Sequence, residues 1–397
     1  MVHKSLGAAI DIGTTTIALH LTNMDTGERL ITVSGVNAQT LYGADVTSRI
    51  RYCAKNGYET LTKVIREQIA SMINEACLAT GTQSGKIEHI TIAANTIMQH
   101  LAAGYSPVDM GVAPFTPVSL FGEELPAWDD LPIAGNAQIY YTPAISAFIG
   151  GDITAGLLAA GFEHISGPAI FLDIGTNGEI VIKHDDTYYC CATAAGPAFE
   201  GAEIEMGMSA TNGAIDHVIW NDGIEFSTIG EGKPKGLCGS GLLDTLAVLL
   251  ETGAVDKTGR LLNNDKFWLS EQKEGVYITA GDIRKLQLAK AAIAAGIHVL
   301  MHYAGIKESD VKALSLAGGF GSYMDLKSAA RIGLIPKSLL PTAKTLGNTA
   351  GEGAAIALRS EDARDRLKKI RTHCEYIELS ASAFFNSKFV EQMTFEE

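Results

Sequence analysis

AIFLDIGTNGEIVIK, residues Ala169–Lys183, is the stretch on which the fold of this chain depends, because its pattern occurs a second time near the amino terminus. The second copy is AAIDIGTTTIALHL, residues Ala8–Leu21. In both copies a short apolar run ends in an aspartate, Asp11 or Asp173, and Ile-Gly-Thr and a polar turn lead into an alternating run. This order predicts a strand, a tight turn and a second strand. Two copies 162 residues apart (173 − 11) predict two matched half-domains.

The two turns carry residue types that suit a bound polyphosphate. Gly13 and Gly175 allow backbone N–H groups to approach an anion closely. Asp11 and Asp173 supply a carboxylate on each side for Mg²⁺, the metal that accompanies a polyphosphate. Side-chain donors follow each glycine, namely Thr14, Thr15, Thr16, Thr176 and Asn177. A single Asp-x-Gly-Thr is more often an ordinary hairpin turn, so the prediction of a phosphate site depends on the repeat.

Composition and charge restrict the class of protein. The chain has 397 residues, of which 46% are hydrophobic and 19% are charged, which is enough apolar material for two cores. Its net charge of −14 opposes a nucleic-acid surface. There is no run of about 18 uncharged apolar residues and no secretion signal, so we expect a cytoplasmic protein with no membrane partner.

The six cysteines show no metal-binding spacing. The chain contains no Cys-x-x-Cys and no ferredoxin-like pattern, so no zinc ribbon and no iron–sulfur cluster is expected within it. Cys190 and Cys191 are adjacent, but they lie in a strand-like run where alternation points neighbouring side chains to opposite faces. Reduced, mostly buried thiols are therefore expected.

Small residues mark two further helices and one turn. Ala144–Ala160 has paired glycines before Asp152, which either caps the following turn or orients the water that attacks the γ-phosphate. Leu346–Leu358 is a second helix of this kind, and such helices between halves are where a hinge is expected. Gly318, Gly319, Phe320 and Gly321 follow a strand at Ala313–Ala317, and this backbone is expected to pass close to a flat adenine or ribose.

Two polar segments exceed what covering a core requires. Asn37–Arg51 and Ala192–Met208 are expected to be ordered loops that carry binding surfaces for a partner protein. Within the first segment, Asp45 either caps a helix or contacts a ligand. His100, in the polar start of another helix, is expected to be a satisfied histidine rather than a metal ligand.

The order of phosphate loop, crossing helix, phosphate loop, glycine-rich loop and crossing helix resembles the acetate and sugar kinase, heat-shock cognate and actin superfamily. The resemblance implies an α/β fold with two ribonuclease H-like half-domains and ATP in the cleft between them. We expect the first half-domain to comprise residues 1–165 and the second to comprise 166–397.

Eight segments in one order narrow the resemblance to the ATPase portion of the reductive activators of corrinoid enzymes. The resemblance runs from about Gly7 to Gly353, nearly the whole chain. The segments are NAQTLYGADVTSRI, AANTIMQHL, TPAISAFIGGD, LDIGTNGEI, ATAAGPAFEGA, GLCGSGLLD, TAGDIRKLQLAKAA and LAGGFG.

The resemblance implies ATP-dependent return of an inactive Co(II) corrinoid protein of a methyltransferase system to Co(I). It places Mg²⁺ at Asp11 and Asp173. It implies that ATP contacts Thr14 to Thr16, Thr176, Asn177, Gly178, Gly318 to Gly321, and Asn348. Members commonly carry an N-terminal [2Fe–2S] domain, so either this chain is a fragment or the electron comes from a separate protein.

Two other functions share the phosphate loops. A small-molecule kinase of the sugar or acetate kinase class would need a substrate pocket with a base near the γ-phosphate. An activator ATPase of the 2-hydroxyacyl-CoA dehydratase type would need bridging cysteines at a dimer interface. The oligomeric state, including a homodimer, stays open at this point.

Overall fold

The structure is a computed structural model that describes residues 5–230, 232–262, 265–270, 275–321 and 323–395. Its strands are, in chain order, β1 (Leu6–Ile12), β2 (Thr16–Asn23), β3 (Arg29–Val36), β4 (Ile87–Ala94), β5 (Glu124–Pro126), β6 (Gln138–Tyr141), β7 (Ala169–Ile174), β8 (Gly178–His184), β9 (Thr187–Thr193), β10 (Ala214–Trp220), β11 (Ile224–Thr228), β12 (Gly236–Leu237), β13 (Lys266–Trp268), β14 (Tyr277–Thr279), β15 (Ala313–Ala317), β16 (Ala343–Thr345) and β17 (Cys374–Tyr376). Its α-helices are α1 (Val46–Asn56), α2 (Glu59–Thr80), α3 (Thr96–Ala103), α4 (Gly151–Ala159), α5 (Gly239–Glu251), α6 (Ala280–Ala304), α7 (Gly318–Gly321), α8 (Leu326–Arg331), α9 (Thr349–Arg359), α10 (Glu361–Thr372) and α11 (Ala383–Glu391).

The chain divides into two compact units, each built from two segments. The first unit comprises Met1–His164 and Asn348–Tyr376, and the second comprises Ile165–Gly347 and Ile377–Glu397. The division expected from the sequence, 1–165 and 166–397, differs from this in the placement of Asn348–Tyr376, which carries α9, α10 and β17 and belongs to the first unit.

The physical reason is a small apolar cluster that α9 completes. Ala354 in α9 is fully buried, and it belongs to one cluster with Ala9 of β1, Ala93 of β4 and Ala155 of α4. Alanine side chains allow the backbones to approach closely, so the helix is fixed to the first sheet although it is far away in sequence.

The first unit contains a six-stranded sheet in the order β3-β2-β1-β4-β6-β5. β1 pairs antiparallel with β2 and parallel with β4, and β4 pairs parallel with β6. One core surrounds this sheet, and α2 contributes an apolar face to it. The buried residues of that face are Leu61, Ile65, Ile69, Met72, Ile73 and Ala76.

The second unit repeats the same topology. Its strands follow the order β16-β15-β7-β8-β9, with β7 antiparallel to β8 and parallel to β15. β15 is parallel to β16, and β8 is antiparallel to β9. Each strand of this series therefore has a counterpart in β6-β4-β1-β2-β3 with the same direction. The expectation of two matched half-domains is confirmed.

All six cysteines lie in the described ranges, and none of them is in a disulfide bond. Five are buried and Cys374 is partly exposed. Cys190 and Cys191 lie side by side on β9, opposite Val181 and Ile180 of β8, and both are fully buried. Within the described ranges no helix has the combination of length and hydrophobicity that crossing a bilayer requires.

Candidate functional site

We call the two turns that are predicted to bind phosphate the first and second phosphate loops, and the first of them is the tight turn between β1 and β2. Gly13 has no room for a side chain, because a Cβ atom there would lie 2.7 Å from the carbonyl oxygen of Thr16. Asp11, near the end of β1, is partly exposed and accepts a hydrogen bond from Asn348 Nδ2 at 2.9 Å. Asn348 also caps α9, since its Oδ1 accepts from the Gly351 N–H at 2.8 Å. The cap of α9 is thereby tied to the aspartate of the first loop.

Three successive carbonyl groups of this loop point to one side. Asn37 Nδ2 donates to the Gly13 carbonyl at 2.9 Å, and the Asn37 N–H donates to the Thr15 carbonyl at 2.8 Å. Between them, Arg49 Nη2 donates to the Thr14 carbonyl at 2.6 Å. In a trans peptide the N–H points opposite to the C=O, so the N–H groups of the next residues turn to the other side of the loop. This arrangement of neighbouring N–H groups suits an anion.

Asn95 supports the same loop from the neighbouring strand. It follows β4, whose last residue, Ala94, is in register with Ile12 of β1. Asn95 Nδ2 donates to Thr14 Oγ1 at 3.1 Å, while Asn95 Oδ1 accepts from the Met98 N–H and caps α3. One amide side chain therefore fixes both a helix start and a threonine hydroxyl of the loop.

Asp152 lies in the first turn of α4, beside this group. Its Oδ1 accepts from the Ile153 N–H at 2.9 Å, and Gly150, not Asp152, is the N-cap of the helix. Burial, together with the charge of Asp11, raises the pKa of the Asp152 carboxyl to about 7. Gly150 allows the close approach, because a Cβ atom there would lie 2.4 Å from the Cα of Asn95. The first unit thus brings Asp11, Thr14, Asp152 and Asn348 into one group.

The second phosphate loop is the turn between β7 and β8. Asp173 is in register with Ala317 of the parallel strand β15, so the turn that follows β15 begins beside this aspartate. Gly318 has a φ of +88°, and a Cβ atom there would lie 2.4 Å from Asp173 Oδ1. Only glycine satisfies both conditions. Gly318 is thus held against Asp173, and the expected approach of this glycine-rich stretch to an adenine or ribose stays a prediction.

Thr176 and Glu200 form a pair at the second loop. Thr176 Oγ1 donates to Glu200 Oε1 at 2.9 Å, and the Gly175 N–H donates to the Asn177 carbonyl at 2.9 Å. Gly178 is buried, with its carbonyl accepting from Thr193 Oγ1 at 3.0 Å. Glu200 adds a carboxylate to the loop that the sequence interpretation did not assign.

Gly318–Gly321 forms a single helical turn rather than an irregular loop. Phe320 in this turn is partly exposed and stacks on the buried Phe199, with ring centroids 5.2 Å apart and planes 12° apart. Gly319 beside it is exposed, and a Cβ atom there would meet open space. The turn therefore exposes the backbone at Gly319 and part of the Phe320 side chain.

Sequence reasoning missed four supporting residues, namely Asn37, Arg49, Asn95 and Glu200. Asn95 could have been found, because the carboxyl ends of adjacent parallel strands lie at the same edge of a sheet and β1 and β4 both end there. Arg49 carried no such signal, since an arginine four residues into an amphipathic helix is ordinarily solvated. Within the polar segment 37–51, which stays a predicted partner surface, Asn37, Gln39 and Arg49 are fully buried. Asn37 and Arg49 donate to carbonyl groups of the first phosphate loop.

Two protein families match this chain, one in each half of its sequence. Residues 6–165 match the family described as the RACo middle region, and residues 167–397 match the C-terminal domain of RACo, the ASKHA domain. The fold expected from the resemblance to actin, sugar kinases and heat-shock cognate proteins is thereby confirmed.

Named relatives agree with this assignment. The corrinoid activation enzyme RamQ of Eubacterium limosum is 36% identical over 405 residues, which cover 93% of this chain and 67% of RamQ. The Co(II) methylated amine-specific corrinoid protein reductase of Methanosarcina barkeri is 27% identical over 433 residues, which cover 98% of this chain and 77% of that protein.

A solved structure, described as a reductive activator for corrinoid, iron-sulfur protein, superposes with a TM-score of 0.89 at 34% identity. The superposition covers 100% of this chain and 67% of the chain in the solved structure. The chain therefore belongs to the family of the reductive activators of corrinoid proteins, of which it carries the middle region and the C-terminal ASKHA domain.

Proposed function

We propose that this chain uses the binding and hydrolysis of ATP to return a Co(II) corrinoid protein of a methyltransferase system to Co(I). The observation that supports nucleotide binding most directly is the β-hairpin loop that occurs in both units. In each unit this loop joins the corresponding two strands of a sheet with the same topology, and an aspartate lies near the end of the strand before it. The corrinoid part comes from the relatives, which are named for the activation or reduction of corrinoid proteins.

The residues of the first loop fit a polyphosphate. Three carbonyl groups are turned away by Asn37 and Arg49, so the N–H groups of Thr14, Thr15 and Thr16 share the opposite side. In the second loop Thr176 and Asn177, with Gly178, are the residues we assign to phosphate contact, and Gly318 to Gly321 to the adenosine. Asn348, through its bond to Asp11, keeps that aspartate in place.

Asp11 and Asp173 are the carboxylates we assign to Mg²⁺. One or two carboxylates together with substrate phosphates are the usual ligands of this ion, and a partly exposed aspartate at each loop meets that need. When bound, Mg²⁺ neutralises charge on the phosphates. Asp152 has a second oxygen, Oδ2, that accepts no hydrogen bond from any other described residue, and we assign it to orienting the attacking water.

ATP has an energetic reason to take part. Reduction of a Co(II) corrinoid is uphill for ordinary cellular donors, and a tenfold change in a one-electron equilibrium corresponds to about 59 mV. Nucleotide-driven binding that favours one state by about 5.5 kcal/mol would shift a 1:99 ratio to 99:1 and correspond to roughly 0.24 V. The electron itself would come from a separate donor protein or from a [2Fe–2S] domain.

The decisive experiment records the absorption spectrum of a Co(II) corrinoid protein with this chain and a strong reductant, before and after ATP is added. We expect Co(I) to appear only after ATP addition. We expect Asp11→Ala and Asp173→Ala to abolish both ATP hydrolysis and Co(I) formation, because each removes a metal carboxylate. Asp152→Asn should slow hydrolysis while ATP affinity is retained.

The controls separate the alternatives. Calorimetry on the folded variants shows whether nucleotide binding or folding was lost. Phosphorylation of a sugar or a carboxylate, without any change in the cobalt spectrum, would support a small-molecule kinase. Stoichiometric iron and acid-labile sulfide in an anaerobic preparation would support the dehydratase activator type. Undiminished hydrolysis in both aspartate variants would remove the assignment of the loops.

A further inference from the structure

Arg49 is a buried cation that has no carboxylate partner within the part of the chain that the structure describes. It lies in α1 and is fully buried, and among the described residues no acidic oxygen is within 4.0 Å of its guanidinium nitrogens. Its donors go instead to neutral acceptors: the Thr14 carbonyl at 2.6 Å, the Gly43 carbonyl at 2.9 Å, Gln39 Oε1 at 3.3 Å and Met98 Sδ at 3.0 Å. The nearest acidic influence, Asp45, uses its carboxylate to cap α1 through the Ser48 N–H.

Such an arrangement is costly for stability alone. Burial without a paired carboxylate disfavours the charged form, and an apolar side chain of similar length usually packs at lower cost. Burial lowers the pKa of Arg49 to about 10, so the side chain still carries its charge at neutral pH. Because the stability of the core does not require this charge, the role of Arg49 follows from the residues that it contacts.

What surrounds it is the first phosphate loop. We define the brace as residues 37–49, in which the polar side chains of Asn37, Gln39 and Arg49 are fully buried. Asn37 and Arg49 donate to the loop, and Gln39 accepts from Arg49. Within the brace, Gln39 Nε2 donates to the Leu61 carbonyl at 2.9 Å, which ties it to α2. Arg49 is the member of this set that has a charge, and it contacts the central carbonyl of the three that are turned inward.

We propose that Arg49 is the positioning residue of the first phosphate loop and that its unpaired charge is completed by the phosphates of the bound nucleotide. This inference rests on the proposed function, since it assumes that the first loop binds polyphosphate. Arg49 acts in two ways. It holds the Thr14 peptide so that the following N–H points away from the brace. Its positive charge also produces an electric field, which is weakly screened because the site is buried. Its effect on affinity therefore increases with the number of negative charges on the ligand.

The test measures the affinity of the full chain for Mg–ATP, Mg–ADP and adenosine by calorimetry, beside its thermal unfolding. In Arg49→Met we expect the ATP affinity to fall by about tenfold or more, the ADP affinity to fall less and the adenosine affinity to stay the same. Arg49→Lys keeps the charge but loses the planar fork, so it should retain part of the preference for ATP. Arg51→Met is the matched control, because Arg51 lies in the same helix and is exposed.

Gln39→Glu decides the question if Arg49→Met does not fold. It places a carboxylate where an amide oxygen now lies 3.3 Å from Arg49, at the cost of the hydrogen bond to Leu61. The internal partner should reduce the ratio of ATP to ADP affinity although Arg49 is still present.

The two failures can be told apart. If the wild-type chain binds no ATP, the proposed function is wrong. If the wild type binds ATP but folded Arg49→Met and Gln39→Glu keep its ratio of ATP to ADP affinity, Arg49 is only a structural residue and this inference is overturned.

Discussion

The hydrogen bonds of His100 determine its protonation state. Its Nδ1 lies 2.7 Å from the Thr96 carbonyl, which can only accept, so Nδ1 carries the hydrogen. Its Nε2 accepts from the N–H groups of Val118 and Ser119 at 3.0 Å and 3.3 Å. The ring is therefore neutral. Both of its nitrogens have hydrogen-bond partners, which confirms the prediction of a satisfied histidine. Burial lowers the pKa of His100 to about 4.

This pKa predicts acid sensitivity. In the unfolded chain the ring takes up a proton below about pH 6.5, whereas in the folded chain it stays neutral until about pH 4. The contribution of His100 to the free energy of unfolding is therefore fully present above pH 6.5 and is lost as the pH falls towards 4. We expect a loss of about 3 kcal/mol in the free energy of unfolding over that range. Urea unfolding at several pH values measures it.

His100→Gln should make this part of the pH dependence smaller, and His164→Gln, at an exposed position, should not. Parallel pH curves for His100→Gln and the wild type would contradict the assignment.

Other residue roles were less accessible from sequence. Asp45 was left between a cap and a ligand contact, and the structure shows the cap, with Oδ1 accepting from the Ser48 N–H at 2.7 Å. Asp152 was left between a cap and a water-orienting base. The N-cap of α4 is Gly150, and the role of Asp152 in orienting water stays a prediction. Such alternatives are separated by the direction of one oxygen, which depends on tertiary neighbours that local sequence does not specify.

At the scale of the elements, the crossing of α4 and α9 depends on one glycine. A Cβ atom on Gly353 would lie 2.0 Å from the carbonyl oxygen of Ala155, and backbone cannot move aside as the end of a flexible side chain can. We expect Gly353→Ala to lower the free energy of unfolding by about 1–3 kcal/mol because the helices must separate. Thermal and urea unfolding measure the change.

The matched control is Gly281→Ala in the first turn of α6, where a Cβ atom would meet its nearest neighbour at an ordinary 3.6 Å. There the same substitution should stabilise by up to about 1 kcal/mol, since alanine favours helix over glycine. A Gly353→Ala variant as stable as this control would show that the helices are not in close contact.

Local sequence patterns predicted the helices and strands better than they predicted which of these elements pack against each other. Both hairpins follow from alternation and turn residues. Apolar residues at helical spacing from Leu61 to Ala76 likewise predict a helix over Glu59–Thr80, and α2 has those bounds in the structure. The small-residue composition of α4 and α9 was visible in the sequence, but their mutual contact was not, because residues 155 and 353 are joined only by the packed structure. Local sequence likewise carried no signal that the polar residues Asn37, Gln39 and Arg49 of the brace are buried.

At the scale of the whole molecule, the first unit needs a segment from the far end of the chain. Ala350, Ala354 and Leu358 of α9 are buried against Ala9 and Ala93. We expect a chain that ends at Tyr376 to keep β1 and β4 protected from hydrogen exchange and a chain that ends at Gly347 to lose that protection. Hydrogen exchange read by mass spectrometry compares the same peptides in both. Equal protection in the two chains would show that the first unit folds without α9.

The two-segment construction also has a consequence during translation. β1 leaves the ribosome early, but the helix that covers it is encoded after the 183 intervening residues of the second unit (347 − 164). At the usual speed of synthesis this delay is roughly 10–40 s. The alanine-lined side of the first sheet stays uncovered during that time, and a chaperone that recognises short apolar segments would find it there. A ribosome that stops anywhere before α9 therefore releases no finished unit.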